Sequence, residues 1–122
     1  MVALAYLDIP WMDKDTESVA TSVNLPLGLG CVRSYASSQK DLAGRLKFEN
    51  FLLDEDESID NLTRQILRSQ PHVAAFSYCI WNARKTDSVV RALKVRRPGL
   101  FTVLGGPEIP RSPESLEKFL RE

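Results

Sequence analysis

Apolar residues follow two different spacings along the chain, and the two spacings alternate. Largely continuous apolar runs occupy residues 2–9, 73–76 and 100–104, while apolar residues three or four positions apart mark segments between and after them. A short continuous run is typical of a strand that helices cover on both faces, as in a parallel sheet. The spacing of three or four residues is typical of an amphipathic helix. The pattern therefore predicts strands that alternate with helices.

Residues 46–53 form one further strand-like segment, in which polar and apolar residues partly alternate as they do in an edge strand. Four predicted helices follow the four strands. Each helix begins near a residue suited to a helix N-terminus: Pro26, Ser58, Asn82 and Ser112. Serine and asparagine accept hydrogen bonds from free N–H groups of the first turn, and proline lacks the N–H that would go unpaired.

Each predicted helix also carries an apolar stripe that we expect to be buried. The stripes are Leu25, Leu29, Val32 and Ala36; Ile59, Leu62, Ile66 and Leu67; Val89, Val90 and Leu93; and Leu116, Phe119 and Leu120. Gly28 and Gly30 lie within the first helix, where a glycine costs roughly 1 kcal/mol relative to alanine. They indicate either close approach by a ligand or tight packing on the sheet.

Strict alternation of strands and helices predicts a three-layer α/β fold of the flavodoxin or Rossmann-like type, with a parallel sheet flanked by helices. The edge-like second strand favours the strand order 2-1-3-4-5, in which a crevice opens between strands one and three. A chain of 122 residues is long enough for one domain with its own core. Because a fifth strand is missing from the pattern, we expect residues 1–122 to be a single domain, the N-terminal part of a longer polypeptide.

Two of the predicted strands end in residues that suit a ligand. These residues are Ser77, Tyr78, Trp81 and Asn82 after the third strand, and Gly105, Gly106, Pro107 and Glu108 after the fourth. Ligands of open α/β sheets bind outside the carboxyl ends of the strands, which share one rim when the strands are parallel. Paired glycines allow a sharp turn or a close approach of backbone to ligand. We therefore expect a binding site at this rim.

Composition restricts the partners and the environment. Sixteen basic and sixteen acidic residues cancel, so charge gives no reason to expect nucleic acid or an anionic membrane as a partner. Cys31 and Cys79 are too few for a disulfide framework and lack zinc-site spacing. We expect a reducing, cytoplasmic setting with both thiols in the core. His72, the single histidine, precedes the third strand and so lies at the end away from the site.

The sequence indicates no catalysis by this chain alone. It shows no nucleophile–base pair, no histidine at a site position and no metal-ligand cluster, so we expect neither catalytic nor metal-ligating residues. A receiver domain is disfavoured because Ser77 and Tyr78 stand where its phosphoacceptor aspartate would be. A flavin domain is disfavoured because residues 10–13 are not a loop rich in glycine and hydroxyl groups.

The strand-end motifs SYCIWN (residues 77–82) and LGGPE (residues 104–108), with PLGLGCVRSY (residues 26–35) upstream, resemble one family. They are similar to the N-terminal cobalamin-binding domain of the cobalamin-dependent radical S-adenosylmethionine enzymes. In that family a phrase like GFS-x-Y-x-WN ends the third strand, and GGPE or GGPH ends the fourth. The resemblance spans essentially the whole chain and keeps the motifs in order.

The resemblance implies a fold of the cobalamin-binding-domain type, with cobalamin as cofactor and the eight strand-end residues as its contacts. It also implies a radical S-adenosylmethionine catalytic domain in cis. S-adenosylmethionine and an iron–sulfur cluster would bind only in that following domain, since the three-cysteine motif is absent here. Residues 8–13 lack the histidine that ligates cobalt from below in mutases and methionine synthases, and its absence is common in the radical class.

Several alternatives remain open from the sequence. The chain is either a cobalamin-binding module or a degenerate domain of the same fold that serves as a scaffold or docking surface. Trp81 either walls a ligand or packs on a helix, and Asn82 caps a helix with or without a ligand contact. Gly106 is expected to let the backbone approach the macrocycle, or else its backbone needs a positive φ. Glu108 either accepts from a ligand amide or favours a helix start, and Cys79 is expected to point inward.

Overall fold

The computed structural model describes residues 2–8, 27–54 and 57–121. Within these ranges strands and helices alternate strictly, as predicted. The elements are β1 (Val2–Asp8), α1 (Leu27–Ser38), β2 (Phe48–Asp54), α2 (Ile59–Arg68), β3 (Val73–Ser77), α3 (Ala83–Arg96), β4 (Phe101–Gly105) and α4 (Pro113–Arg121). Leu25 and Pro26, where the first helix was expected to open, lie outside the described ranges, as does Ile9 at the end of the predicted first strand.

The four strands form one sheet in the order β2-β1-β3-β4. All three pairings are parallel, and β1 lies between β2 and β3. This confirms the predicted order for the four strands present. The carboxyl ends of β3 and β4 lie side by side, since Ser77 is paired with Gly105 in the register. The two motif loops therefore leave the sheet at the same rim.

The core lies between one face of the sheet and the pair of helices α2 and α3. Its buried members are Leu62, Ile66, Ala74, Phe76, Val89, Leu93 and Leu100. Burial alternates along β3, with Ala74 and Phe76 buried and their neighbours half-buried, because successive strand side chains point to opposite faces. The stripes predicted for the second and third helices thus supply most of the core.

The ends of α2 are fixed by local hydrogen bonds and ion pairs. Ser58 is its N-cap, as predicted, and the Ser58 hydroxyl accepts from the Asn61 N–H at 3.2 Å. In the first turn, Asp60 binds both Arg96 of α3 and Arg64 of its own helix, and these guanidinium groups hold the pKa of the Asp60 carboxyl below its usual value. Because the three groups are solvent-exposed, this link between the helices is weak.

Three residues expected in the core are exposed. Val32 and Cys31 of α1 are exposed, whereas Leu29 and Ala36 are half-buried, so the buried stripe of α1 is narrower than predicted. Leu120 of α4 is 73% exposed because it lines an open cavity between α3, β4 and α4. Helical spacing identifies an apolar face but not how closely a neighbouring element covers it.

His72 lies at the amino end of β3, beside the amino end of β4. Its carbonyl accepts a hydrogen bond from the Phe101 N–H at 3.2 Å. The histidine is therefore at the opposite end of β3 from the motif loops, as predicted. Among the described segments no helix combines the length and the apolar character needed to cross a membrane.

A matched pair of leucine truncations tests this placement of the core. Leu93→Ala removes a completely buried side chain, and we expect it to lower the free energy of unfolding by about 2–5 kcal/mol. Leu120→Ala removes a mostly exposed one, and its cost is expected to stay below about 1 kcal/mol. Denaturant unfolding measures both. Equal losses would show that α4 is packed as tightly as α3.

Candidate functional site

The first motif loop, residues 78–82, is joined directly to the second by its backbone. The Tyr78 N–H donates to the Gly105 carbonyl at 2.7 Å, which continues the pairing of β3 with β4 past Ser77. The Tyr78 carbonyl in turn lies against Gly106. Both motif loops are thus fixed relative to the sheet and to each other.

Asn82 closes the first loop from inside. Its side chain is buried, its Oδ1 accepts from the Cys79 N–H at 2.8 Å, and its Nδ2 donates to the Ser77 carbonyl at 3.0 Å. Asn82 occupies the N-cap position of α3, but its side chain makes no capping hydrogen bond, so the predicted side-chain cap is wrong. The amide is turned back toward the loop, where one group has to supply both a donor and an acceptor.

Tyr78 is the buried centre of the site. Its hydroxyl donates to the Asp87 carboxylate, at 3.0 Å from Oδ1 and 3.1 Å from Oδ2. Burial, followed by the hydrogen bond to Asp87, raises the pKa of Tyr78 to about 12, so the phenol stays protonated and donating at neutral pH. Its ring meets that of Phe119 edge-on, with centroids 5.6 Å apart. The side chain therefore faces α3 and α4, with 5% of its surface exposed.

The two glycines of the second loop have different reasons to be glycine. Gly106 has a φ of 149°, and a Cβ placed there would lie 2.1 Å from the Tyr78 carbonyl oxygen. The place of a side chain at Gly106 is already filled by protein, which favours the positive-φ alternative for this glycine. A Cβ at Gly105 would meet no atom of the described residues within 4 Å. Gly105 is therefore the position where backbone is open to close approach.

The first motif loop carries two exposed apolar side chains, Ile80 and Trp81. Trp81 is 49% exposed and Ile80 is 73% exposed, although both follow a strand whose inward side chains are buried. Residues 105–108 are exposed as well. Cys79 is buried, as expected, and its sulfur lies 3.7 Å from the hydroxyl oxygen of half-buried Ser77. The rim thus presents an indole, an aliphatic side chain and open backbone.

Ile80 lies exposed at this rim, although the sequence analysis did not include it among the candidate site residues. A turn usually carries polar residues, and a large aliphatic residue between Cys79 and Trp81 was the available signal. Asp87 was also missed, because nothing in the sequence indicates that a carboxylate nine residues after Tyr78 accepts a hydrogen bond from its hydroxyl.

A cavity of about 400 Å³ lies between α3, β4 and α4. Its lining combines apolar side chains, including Val90, Leu104 and Leu116, with charged Arg91 and Lys94. Asp87 and Phe119, which hold the Tyr78 side chain, also line it. Trp81 and residues 105–108 do not line the cavity, so the exposed rim and the cavity are separate features joined through Tyr78.

Fold and rim together define a class of protein. The chain is an α/β domain with a parallel sheet, compatible with a Rossmann-like fold, whose ligand-suited groups meet at the carboxyl ends of two neighbouring strands. This is the place where open α/β sheets bind their ligands.

Two known enzymes are similar to the chain over most of its length. One is the 2-(S-pantetheinyl)-carbapenam-3-carboxylate methyltransferase of Streptantibioticus cattleyicolor, which is 35% identical over 91 residues, or 73% of this chain. The other is the cobalamin-dependent radical SAM methyltransferase TokK of Streptomyces tokunonensis, which is 33% identical over 92 residues, again 73% of the chain. The matches confirm the resemblance of the chain to the cobalamin-dependent radical S-adenosylmethionine enzymes.

The match covers only a small part of each relative. It spans 13% of the length of either methyltransferase. No protein-family model matches the chain.

The two glycines provide a first test of this site. We expect Gly106→Ala to lower the free energy of unfolding by about 2 kcal/mol or more, because a methyl group there is both strained and in collision with the Tyr78 carbonyl. Gly105→Ala meets open space and is expected to change it by less than about 1 kcal/mol. Thermal and denaturant unfolding compare the two. An equally mild effect at both positions would contradict the packing of Tyr78 on Gly106.

Asn82→Ala tests the buried amide. The change leaves the Cys79 N–H and the Ser77 carbonyl without the partners they have in the loop, which is expected to cost about 1–3 kcal/mol of unfolding free energy. Asn61→Ala on the exposed face of α2 is the control, expected to cost less than about 0.5 kcal/mol. Equal costs in denaturant unfolding would show that Asn82 does not hold the loop.

Proposed function

We propose that the chain is a cobalamin-binding module that positions a corrinoid for a radical S-adenosylmethionine catalytic domain in the same polypeptide. The observation that carries the proposal is that the strand ends leading to exposed Trp81 and containing Gly105 are paired at one rim of the sheet. Similarity to a cobalamin-dependent radical SAM methyltransferase supports the same cofactor.

The residues at the rim fit the chemistry of a corrinoid. A corrinoid is a broad, largely apolar macrocycle fringed with amides, so it needs apolar surface, close backbone and a few polar groups. Trp81 and Ile80 offer exposed apolar surface, and Gly105 offers backbone that a side chain would obstruct. Half-buried Ser77 and exposed Glu108 offer a hydroxyl and a carboxylate for the amide fringe.

The other candidate residues act from within the loops. Tyr78 and Asn82 hold the first loop in place through buried hydrogen bonds, and Gly106 and Pro107 turn the chain away from β4. In this proposal they shape the binding surface, while Trp81, Ile80 and Gly105 contact the macrocycle. His72, the single histidine, lies at the other end of β3, so it is not among the residues that would hold the cofactor.

The chemistry of methyl transfer would come from outside these residues. Cobalamin, when bound, would supply a cobalt centre able to carry a methyl group, and the residues of this chain would bind and orient it. S-adenosylmethionine and an iron–sulfur cluster would bind in a following domain of a longer cytoplasmic protein. The small share of each relative that the chain spans supports such an arrangement.

We also propose that the sheet is the middle of three layers. In the sheet order β2-β1-β3-β4, the connection from β1 to β2 runs toward one edge of the sheet. The connections from β2 to β3 and from β3 to β4 run toward the other edge. Parallel crossovers are almost always right-handed, so reversing the direction places the connecting helix on the other face. This puts α1 on one face and α2 and α3 on the other.

A scaffold of the same fold without cofactor is the second candidate function. The observation that favours it is that Tyr78 and Asn82, two of the eight candidate residues, have their side chains in contacts inside the protein. In that case the exposed pair Ile80 and Trp81 would meet another protein surface.

Binding of hydroxocobalamin separates the two candidates. We expect the visible absorption spectrum of hydroxocobalamin to change on addition of the protein, and Trp81→Ala to weaken binding roughly tenfold or more. The control is Phe101→Ala, which removes an even more exposed aromatic residue from the amino end of β4 and is expected to leave the affinity unchanged. Absence of any spectral change with the unmodified protein would favour the scaffold.

A further inference from the structure

We propose that Tyr78 is a positioning residue whose side chain ties the candidate site to α3 and α4 and so sets the cofactor affinity. The inference rests on the proposed function, since the groups that Tyr78 positions are those assigned to contact the corrinoid. It concerns a role that the sequence did not indicate, because the phenol was expected to face the ligand directly.

The backbone of Tyr78 fixes the two loops of the rim. Its N–H donates to the Gly105 carbonyl, and its own carbonyl oxygen occupies the space beside the Gly106 Cα. The open Gly105 and the turn that follows it are therefore held by this one residue. Trp81 lies three positions further along, on the turn that Asn82 closes.

The side chain of Tyr78 contacts two helices, α3 and α4. Its hydroxyl is shared between both oxygens of Asp87, in the second turn of α3, and its ring packs edge-on against Phe119 of α4. The cavity of about 400 Å³ lies between these helices, so Tyr78 bridges them beside a region that side chains leave unfilled. A bridge across loosely packed helices has more effect on their relative position than one within a filled core.

Loss of the hydroxyl should therefore be felt at the rim. Without its hydrogen bonds to Asp87, the ring of residue 78 can rotate. The loop of residues 78–82 then loses the side-chain hydrogen bonds that connect Tyr78 to α3. Since α4 follows the second loop, the position of residues 105–108 is affected as well. The backbone bond to Gly105 remains, so the domain should still fold.

The test is a double-mutant cycle in the full chain between Tyr78→Phe and Asp87→Leu, read by hydroxocobalamin affinity and by tryptophan fluorescence. The background variant Trp11→Phe leaves Trp81 as the single tryptophan. We expect each single change to weaken binding about three- to tenfold and to shift the Trp81 emission, and the double change to be no worse than one of them. Asp87→Asn, which keeps one acceptor oxygen, should restore most of the affinity.

Tyr35→Phe is the matched control, because it removes the hydroxyl of an exposed tyrosine on α1 and should change neither reading. Unaltered affinity and emission in Tyr78→Phe would overturn the positioning role while leaving the proposed function intact. If the unmodified protein does not bind cobalamin, the proposed function fails. Trp81 emission and hydrogen exchange of residues 104–109 then still decide whether Tyr78 positions the rim: unchanged values in Tyr78→Phe overturn it, and altered values support it.

Discussion

The hydrogen bond from the Tyr78 N–H to the Gly105 carbonyl continues the parallel pairing of β3 and β4 beyond the sheet, and the geometry of the rim depends on it. Parallel strands bring their carboxyl ends to one edge, but the loops that follow could still diverge. Here they leave the sheet already bonded to each other. The exposed Trp81 and the open Gly105 consequently belong to two segments that are hydrogen-bonded to each other at one rim.

That arrangement constrains the neighbouring residues in different ways. Gly106 has to remain glycine because the Tyr78 carbonyl occupies the space of a side chain, while none of the described residues imposes such a constraint on Gly105. Asn82 has to offer both a donor and an acceptor to the loop backbone. Gly105 is therefore the more informative glycine for function. No contact with the described residues requires a glycine there, whereas close approach of a ligand to the backbone would.

Much of the fold could be predicted because it depends on local pattern. The continuous apolar run of β3 and the stripe of Leu62 and Ile66 lead directly to the parallel sheet and to the helix that covers it. The exposure of Val32 and Leu120 could not be predicted, because it depends on how closely another element approaches and not on spacing along the helix.

The candidate site was predictable in place but not in the division of roles. Residue type indicated that the ends of β3 and β4 suit a ligand, and the register confirms that they meet. The inward direction of Tyr78 depends on its contacts with Asp87 of α3 and Phe119 of α4. These contacts join separate elements, so the sequence pattern does not predict them. An aromatic or amide residue at a strand end can serve a ligand or the loop that presents it, and only the contacts distinguish the two.

In the proposed function, the rim formed by the two motif loops holds a corrinoid. Titration of the isotopically labelled protein with hydroxocobalamin, followed by the backbone amide signals in two-dimensional nuclear magnetic resonance, tests it residue by residue. We expect the largest shifts at Ile80, Trp81, Gly105, Gly106 and Glu108, with His72 and Phe101 at the opposite ends of the strands unaffected. Shifts concentrated at the amino ends of β3 and β4, or no shifts at saturating cobalamin, would contradict it.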